Sequence, residues 1–304
     1  MIFPAEQARR AAGHAAAMLL AGLTRVLSWL PLAAARRTGD ALGTLVWLAH
    51  GNAARVTRIN LALCFPELGE RERRRLARRS LRQTSRLLGE SGVTFRWPAA
   101  RWRALVQDVQ GERLVADALA GGRGVLVLVP HLGNWEFLSL YLGRYRMLAL
   151  YDPPRLRGLE APIRAARERG GAQLLAIDRG GMRALFEALR ARRLVALLPD
   201  QVPRRQAGVY VPFFGVPALT MTFAHRLIQR TSPVVVLATA LRVRGGFAIR
   251  FVAADPDVAD ADPVTAAAAM NRAIETLVRS APDQYQWEYR RFRRPPPGRP
   301  SVYE

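Results

Sequence analysis

Short apolar runs alternate with helical patterns through the C-terminal two thirds of the chain. A continuous β-rich run, GVLVLV, occupies residues 124–129 and is followed by a turn and an apolar helix pattern over residues 135–142. Further runs with strand character lie at residues 148–151, 173–177, 194–198, 234–241 and 247–252. Apolar strands that alternate with helices are typical of a mostly parallel sheet covered on both faces. The pattern therefore predicts an α/β fold with a mostly parallel central sheet flanked by helices.

The first third of the chain has apolar residues at helical spacing. Residues 36–105 contain strong helix formers, including an arginine-rich stretch from Arg71 to Arg86 that we interpret as a solvated helix face or a docking surface. The change of pattern predicts two regions, an N-terminal helical region at residues 1–105 and an α/β catalytic domain at residues 106–304.

An apolar stretch near the N-terminus, AAAMLLAGLTRVLSWLPLAAA at residues 15–35, is long enough to cross a bilayer. Arg25 and Pro31 interrupt it, and a central arginine costs about 2.5–3.5 kcal/mol on insertion. We interpret the stretch as a membrane anchor, either a marginal single span or a helix lying in the interface, in preference to a soluble helix.

Composition narrows the class of protein. The 304 residues include 46 Lys and Arg against 24 Asp and Glu, for a net charge of +22, and 50% are hydrophobic. That apolar content excludes a disordered basic tail. Cys64 is the single cysteine and the four histidines are scattered, so we expect no disulfide scaffold, no metal and no cofactor. The charge predicts an anionic partner, which leaves nucleic acid, an acidic protein or a phospholipid surface.

The end of the first apolar strand carries the most informative polar residues. The motif HLGNWE begins at His131 and places Glu136 five residues later. Gly133 permits a sharp turn and Asn134 is suited to cap the following helix, so Glu136 falls in the first helical turn. A carboxylate near the imidazole accepts from one ring nitrogen and leaves the other free as a base. The spacing alone is common by chance, but a strand end followed by a turn and a helix is where α/β proteins place their chemistry.

HLGNWE resembles the signature of the lipid A late acyltransferases, the lauroyl and myristoyl transferases of the larger lysophospholipid acyltransferase group. The likeness extends over nearly the whole chain. Its other segments are NLALCFPEL at 60–68, PD at 199–200, VPFFGVPALT at 211–220 and PDQYQWEYRRF at 282–292.

The resemblance implies transfer of a fatty acyl chain from an acyl carrier protein thioester to a hydroxyl of a lipid A precursor, at the cytoplasmic face of the inner membrane. His131 is then expected to act as general base and Glu136 to orient its ring. No covalent acyl-enzyme is expected, and Cys64 lies in the helical region, away from the motif.

The resemblance also implies an arginine that stabilises the oxyanion. Alignment through DRGG at 178–181 places Arg169 at that position, although an error of register exchanges it for Arg164 or Arg167. Asp200 matches an acidic residue of the family that organises the arginine or the acceptor. Its alternative role is that of a turn residue after a proline.

Several further residues are candidates for substrate binding. Arg179 is suited to anionic groups, and Asn134 lies within the histidine motif. Phe213 and Phe214 either line an apolar slot for the acyl chain or plug the core. The arginines of the C-terminal segment, at 290, 291, 293 and 294, are suited to lipid phosphates or the acidic carrier protein.

Two alternatives remain at the level of sequence. One keeps the acyl-transfer chemistry and changes the acceptor to another glycolipid or phospholipid, such as a mannosylated phosphatidylinositol. The other is a nucleic-acid-binding protein, which the net charge favours and which no recognition motif supports. We predict no nucleic-acid partner, and a membrane pellet that resists high salt distinguishes the two classes.

Overall fold

The structure is a computed structural model that describes residues 4–154 and 157–304. The helices are α1 (Pro4–Trp29), α2 (Leu32–Leu48), α3 (Asn52–Cys64), α4 (Glu70–Gly89), α5 (Ser91–Arg96), α6 (Ala99–Arg103), α7 (Arg113–Ala120), α8 (Trp135–Leu142), α9 (Glu160–Glu168), α10 (Arg179–Arg190), α11 (Phe223–Thr231) and α12 (Pro263–Ser280). The strands are β1 (Val106–Gln110), β2 (Val125–Leu128), β3 (Leu148–Tyr151), β4 (Gln173–Ala176), β5 (Leu194–Leu197), β6 (Gly208–Phe213), β7 (Val216–Met221), β8 (Val234–Val243) and β9 (Gly246–Ala253). Helices α1 to α6 precede the first strand, and beyond it most strands are separated by helices.

Seven strands form one sheet in the order β1-β9-β8-β2-β5-β3-β4. All neighbouring pairs are parallel except β8 and β9, which form an antiparallel hairpin. The predicted α/β fold with a mostly parallel sheet is therefore confirmed. The edge strand β1 carries polar residues and is largely exposed, so its sequence has no apolar run to identify it.

The sheet has an apolar core on each face. All four residues of β2 are buried, and they alternate between the two cores because successive strand side chains point to opposite faces. Leu126 belongs to one core and Val127 to the other. The N-terminal helices supply residues to both cores, such as Leu61 to the first and Trp97 to the second. The division of the chain at residues 105 and 106 stays a prediction.

The predicted anchor is divided between two helices. Helix α1 ends at Trp29 and α2 begins at Leu32, because Pro31 between them has no backbone N–H to continue a helix. Among the described residues, no helix combines the length and the apolarity needed to cross a membrane. Instead, α1 and α2 expose large apolar side chains to solvent. These are Met18, Leu19, Leu23, Val26 and Trp29 on α1 and Leu42, Leu45 and Leu48 on α2.

Strands β6 and β7 form a separate antiparallel hairpin. Its two-residue loop is Phe214-Gly215, and both residues have positive φ, +50° and +75°. This is the backbone required by a type I′ turn, which matches the right-handed twist of the strands. The hairpin turn therefore explains the Phe214-Gly215 sequence without any contact with a substrate.

Candidate functional site

Two neighbouring parallel strands bring His131 and Asp200 together. Strands β2 and β5 pair in register, with Leu128 opposite Leu197. His131 lies three residues beyond the first of these leucines and Asp200 three residues beyond the second, so both leave the same edge of the sheet at the same level. Ligands of parallel α/β sheets bind at this carboxyl edge.

The carboxylate of Asp200 holds His131 at two points. Oδ1 lies 2.8 Å from Nδ1 of the imidazole, and Oδ2 accepts from the backbone N–H of His131 at 2.8 Å. Asp200 is only 2% exposed. Burial alone would raise the pKa of Asp200, but the charge and hydrogen bonds of His131 outweigh it and hold that pKa below its usual value. An ionised acid therefore accepts from Nδ1–H and leaves Nε2 as the basic nitrogen.

The opposite side of the imidazole is partly open. The side chain of His131 is 12% exposed. The Gln201 amide nitrogen lies 3.1 Å from Nε2, and the Trp135 ring packs edge-on against the imidazole with 5.0 Å between centroids. The His131 carbonyl accepts from the backbone N–H of Gln286 at 3.1 Å, which fixes the histidine loop to the C-terminal segment.

The turn after His131 requires glycine. Gly133 has φ +69°, and a Cβ there would lie 2.2 Å from the carbonyl oxygen of Ala240 on β8. Asn134 then caps α8 by accepting from the backbone N–H of Phe137 at 2.9 Å. The predicted turn and cap are confirmed.

Glu136 contacts an arginine instead of the histidine. Both of its carboxylate oxygens accept from Arg167, whose Nε lies 3.1 and 2.9 Å from them. Burial alone would lower the pKa of Arg167, but the Glu136 charge outweighs it and raises that pKa. The expectation that Glu136 orients the imidazole is corrected, because Asp200 occupies Nδ1. Glu136 is the second residue of α8, and its side chain reaches Arg167 on α9.

Arg169, the arginine that alignment favoured, is held by the backbone. Its guanidinium donates to the carbonyls of Val93, Thr94 and Trp97 at 3.1, 2.8 and 2.6 Å, which ties the end of α9 to α5. Each of its three guanidinium nitrogens therefore has a backbone partner. Arg164 also has protein partners, the carbonyl of Leu174 at 2.6 Å and Glu168 at 3.3 Å. Of the three arginines, Arg167 is the one whose partner lies in the histidine motif.

Asn134 belongs to a buried polar network and has no free group for a substrate. The side chain is 0% exposed, and its Nδ2 donates to Glu90 at 2.8 Å. Glu90 is also 0% exposed and accepts from Arg36 at 2.7 Å and from Arg242 at 2.9 Å. The network joins α2, the start of α5, β8 and the cap of α8. The proposal of a substrate contact for Asn134 is therefore corrected to a structural role.

The two phenylalanines of the hairpin are core residues. Phe213 and Phe214 are 1% and 7% exposed and pack with Phe65, Tyr285 and Trp287. Of the two predicted roles, their burial supports that of core residues. A cavity of about 270 Å³ lies elsewhere, between α1, α5 and α9. Its lining residues are Leu20, Ala21, Thr24, Phe95, Arg96, Pro162, Ala165, Ala166 and Arg169.

The remaining predicted arginines differ in exposure. Arg179 is exposed at the start of α10. Arg291 is 3% exposed and donates to the Leu219 carbonyl and the Thr220 hydroxyl, so it does not face a lipid surface. Burial lowers the pKa of Arg291.

The residues Gln201, Tyr285 and Gln286 were absent from the predicted site. Gln201 follows Asp200 directly, and that adjacency was an available signal. Tyr285 is 4% exposed, and burial together with the Asp200 charge raises its pKa well above the usual value. Both Tyr285 and Gln286 belong to the segment PDQYQWEYRRF at 282–292, to which the family resemblance gives no chemical role.

The arrangement is typical of a general-base site. A histidine with a buried acid on Nδ1 and a basic Nε2 is equipped to take a proton from a hydroxyl group. The Glu136–Arg167 pair adds a guanidinium group, a donor for anionic atoms, beside the helix that follows the histidine. The fold and the site together are typical of hydroxyl-activating transferases of the α/β class.

Comparison with known proteins identifies the family. The model of the bacterial lipid A biosynthesis acyltransferases matches residues 4–294. A lipid A biosynthesis lauroyltransferase of Escherichia coli (strain K12) is 30% identical over 297 residues, covering 93% of this chain and 92% of the relative. A palmitoleoyltransferase of the same pathway and organism is 31% identical over 253 residues, covering 82% and 81%, and a myristoyltransferase is 24% identical over 272 residues, covering 86% and 82%. The chain belongs to the bacterial lipid A biosynthesis acyltransferase family and is an O-acyltransferase.

Proposed function

We propose that the protein transfers a fatty acyl group from an acyl carrier protein thioester to a hydroxyl of a lipid A precursor, with His131 as general base. The observation that carries the proposal is the contact between His131 Nδ1 and the buried Asp200 carboxylate at 2.8 Å. It sets the tautomer in which Nε2 is basic.

The chemical step uses this base directly. Nε2 takes the proton of the acceptor hydroxyl as its oxygen attacks the thioester carbonyl. The C–S bond then breaks, and the leaving thiolate takes the proton from the imidazolium. Asp200 keeps the ring oriented and stabilises its cationic form. No side-chain nucleophile is needed, and burial raises the pKa of the Cys64 thiol far above its usual value, which keeps Cys64 unreactive.

Arg167 is assigned to the oxyanion. Glu136 fixes its guanidinium through two oxygens, and the Arg167 side chain stays 30% exposed. Its remaining donor capacity is therefore available to a substrate. Glu136 acts through Arg167 and is a positioning residue.

A lipid acceptor implies that the protein acts at a membrane surface. Helix α1 exposes Leu19 and Trp29 by 74% and 68%, and α2 exposes Leu45 by 64%. Side chains of this size on amphipathic helices insert into the interface between headgroups and acyl chains. Arginines such as Arg25, exposed on α1, favour the anionic lipids of a cytoplasmic leaflet. We therefore place α1 and α2 in the headgroup region of the inner membrane, on its cytoplasmic face.

The proposal is tested by the mass of the product. Purified protein is incubated with a lipid A precursor and acyl carrier proteins that bear chains of ten to sixteen carbons, with matching coenzyme A thioesters and a mannosylated phosphatidylinositol as alternative substrates. We expect the lipid A precursor to gain one acyl mass from the carrier protein donor. Acylation of the phosphatidylinositol alone would assign a different acceptor, and equal rates from coenzyme A would contradict the assigned donor.

A further inference from the structure

The basic nitrogen of His131 already has a partner in the free protein. Because Nδ1–H is given to Asp200 at 2.8 Å, Nε2 carries a lone pair, and the Gln201 amide nitrogen lies 3.1 Å from it. The Gln201 N–H therefore donates to the atom that must accept the proton of the acceptor. An amide in this position occupies the place of the attacking hydroxyl.

If Nε2 of His131 is uncovered beside a bound thioester, it can also activate water and so hydrolyse the donor. Nε2 takes a proton from water, the water oxygen attacks the acyl carbonyl, the C–S bond breaks, and the thiol leaves with that proton. The products are a free fatty acid and an empty carrier. Solvent reaches the ring, since the His131 side chain is 12% exposed. A transferase that meets its donor before its acceptor benefits from a group that covers Nε2.

The Gln201 amide has a second hydrogen-bond partner in the same conformation. Its amide nitrogen lies 3.5 Å from the side-chain oxygen of Gln286, whose own backbone is bonded to the His131 carbonyl. The backbone next to Gln201 is fixed, because Val202 N–H donates to the Tyr289 hydroxyl at 2.9 Å. A movement of the Gln201 side chain alone therefore uncovers Nε2 while the amide keeps Gln286 as its partner.

We propose that Gln201 is a positioning residue that covers Nε2 of His131 until an acceptor hydroxyl displaces it toward Gln286, and that it thereby limits hydrolysis of the acyl donor. This inference rests on the proposed function. It gives Gln201 a role in selecting the lipid hydroxyl over water as the group that attacks the thioester.

The test compares two rates for the full-length protein in lipid nanodiscs. The first is release of free fatty acid from acyl carrier protein thioester without acceptor, and the second is transfer to the lipid A precursor. Gln201→Met keeps the side-chain size and removes the donor, and Gln201→Ala is the second variant, should methionine disturb the loop. Gln110→Met, at an exposed site on β1, is the matched control.

We expect fatty acid release by both Gln201 variants to rise about 3- to 10-fold above wild type, the range supplied by one neutral hydrogen bond. Release by Gln110→Met is expected to equal wild type, and the increase is expected to vanish in Gln201→Met combined with His131→Ala. Release at or below the wild-type rate in both Gln201 variants, with wild-type transfer intact, overturns this inference alone. A wild-type protein that transfers no acyl group overturns the proposed function and this inference with it.

Discussion

Arg167 and Arg169 lie two residues apart at the end of α9, but their guanidinium groups have different partners. Arg167 meets the Glu136 carboxylate beside the histidine motif, and Arg169 donates to three backbone carbonyls. Arg167 is therefore the arginine that we propose for the chemistry, whereas Arg169 attaches α9 to α5.

Replacing each arginine by alanine separates these roles. We expect Arg167→Ala to lower kcat about 10²- to 10³-fold, the loss typical of an oxyanion donor, with little change in melting temperature. Arg169→Ala is expected to lower the melting temperature and to keep most of kcat per folded molecule. Steady-state kinetics and thermal melts of the two variants check this. The reverse pattern would return the oxyanion to Arg169.

The buried carboxylate of Asp200 links stability to pH. Its pKa in the folded protein is held below the ordinary value of about 3.9, so its ionised form stabilises the fold above that pH, and the contribution is lost as pH falls through the folded pKa. We expect wild type to exceed Asp200→Asn in free energy of unfolding by about 1–3 kcal/mol at pH 7. Urea titrations should show the difference shrinking below pH about 4. A difference that stays constant down to pH 3 would argue against an ionised Asp200.

At the scale of elements, Glu90 joins helices to the sheet. It is completely buried and accepts from Arg36 of α2, from Arg242 of β8 and from the residue that caps α8. Removing one partner of a buried ion pair leaves an uncompensated charge.

We expect Glu90→Gln to reduce the free energy of unfolding by about 3–5 kcal/mol, because both arginines lose their counter-charge. Glu187→Gln is the control. Glu187 pairs with Arg183 on the exposed face of α10, where such pairs contribute about 0.3–0.5 kcal/mol. Denaturant unfolding measures both variants, and similar losses for the two would mean that burial adds nothing to the Glu90 network.

The exposed apolar side chains of α1 make membrane association testable. We expect the triple variant Leu19→Ser, Leu23→Ser, Trp29→Ser to bind anionic phospholipid vesicles at least about tenfold more weakly than wild type, since each inserted side chain contributes about 1.5–3 kcal/mol. Vesicle sedimentation at low and high salt measures the effect.

Three exposed apolar residues far from α1 in the sequence provide the control for that experiment. Ile177, Val252 and Val264 are 56%, 45% and 46% exposed. Their triple replacement by serine is expected to leave vesicle binding unchanged. Equal weakening by both triple variants would show that α1 has no special role at the membrane.

At the scale of the whole molecule, six of the seven strands of the central sheet were predictable because they are short apolar runs bounded by turns, whereas the polar edge strand β1 was not. The strands β2 to β5, β8 and β9 follow the predicted runs closely. The hairpin of β6 and β7 was not predictable, because its sequence resembles that of a loop. It depends on a two-residue turn whose residues both have positive φ.

The candidate site was predictable in part. His131 was identified from its place at a strand end, but its acid was assigned to Glu136, five residues away. The acid that contacts the ring, Asp200, lies 69 residues away in the sequence. It reaches His131 only because β5 is the neighbour of β2, and strand order is not written in a local pattern. Glu90 was missed for the same reason, since its three partners come from distant parts of the chain.

The pair of His131 and Asp200 is tested most directly by single-turnover acyl transfer from carrier protein thioester to the lipid A precursor. We expect His131→Ala and Asp200→Asn each to slow transfer about 10²- to 10⁴-fold while the protein stays folded. Asp117→Asn, on the exposed face of α7, is expected to transfer at the wild-type rate. A folded Asp200→Asn or His131→Ala variant with wild-type transfer would contradict the account.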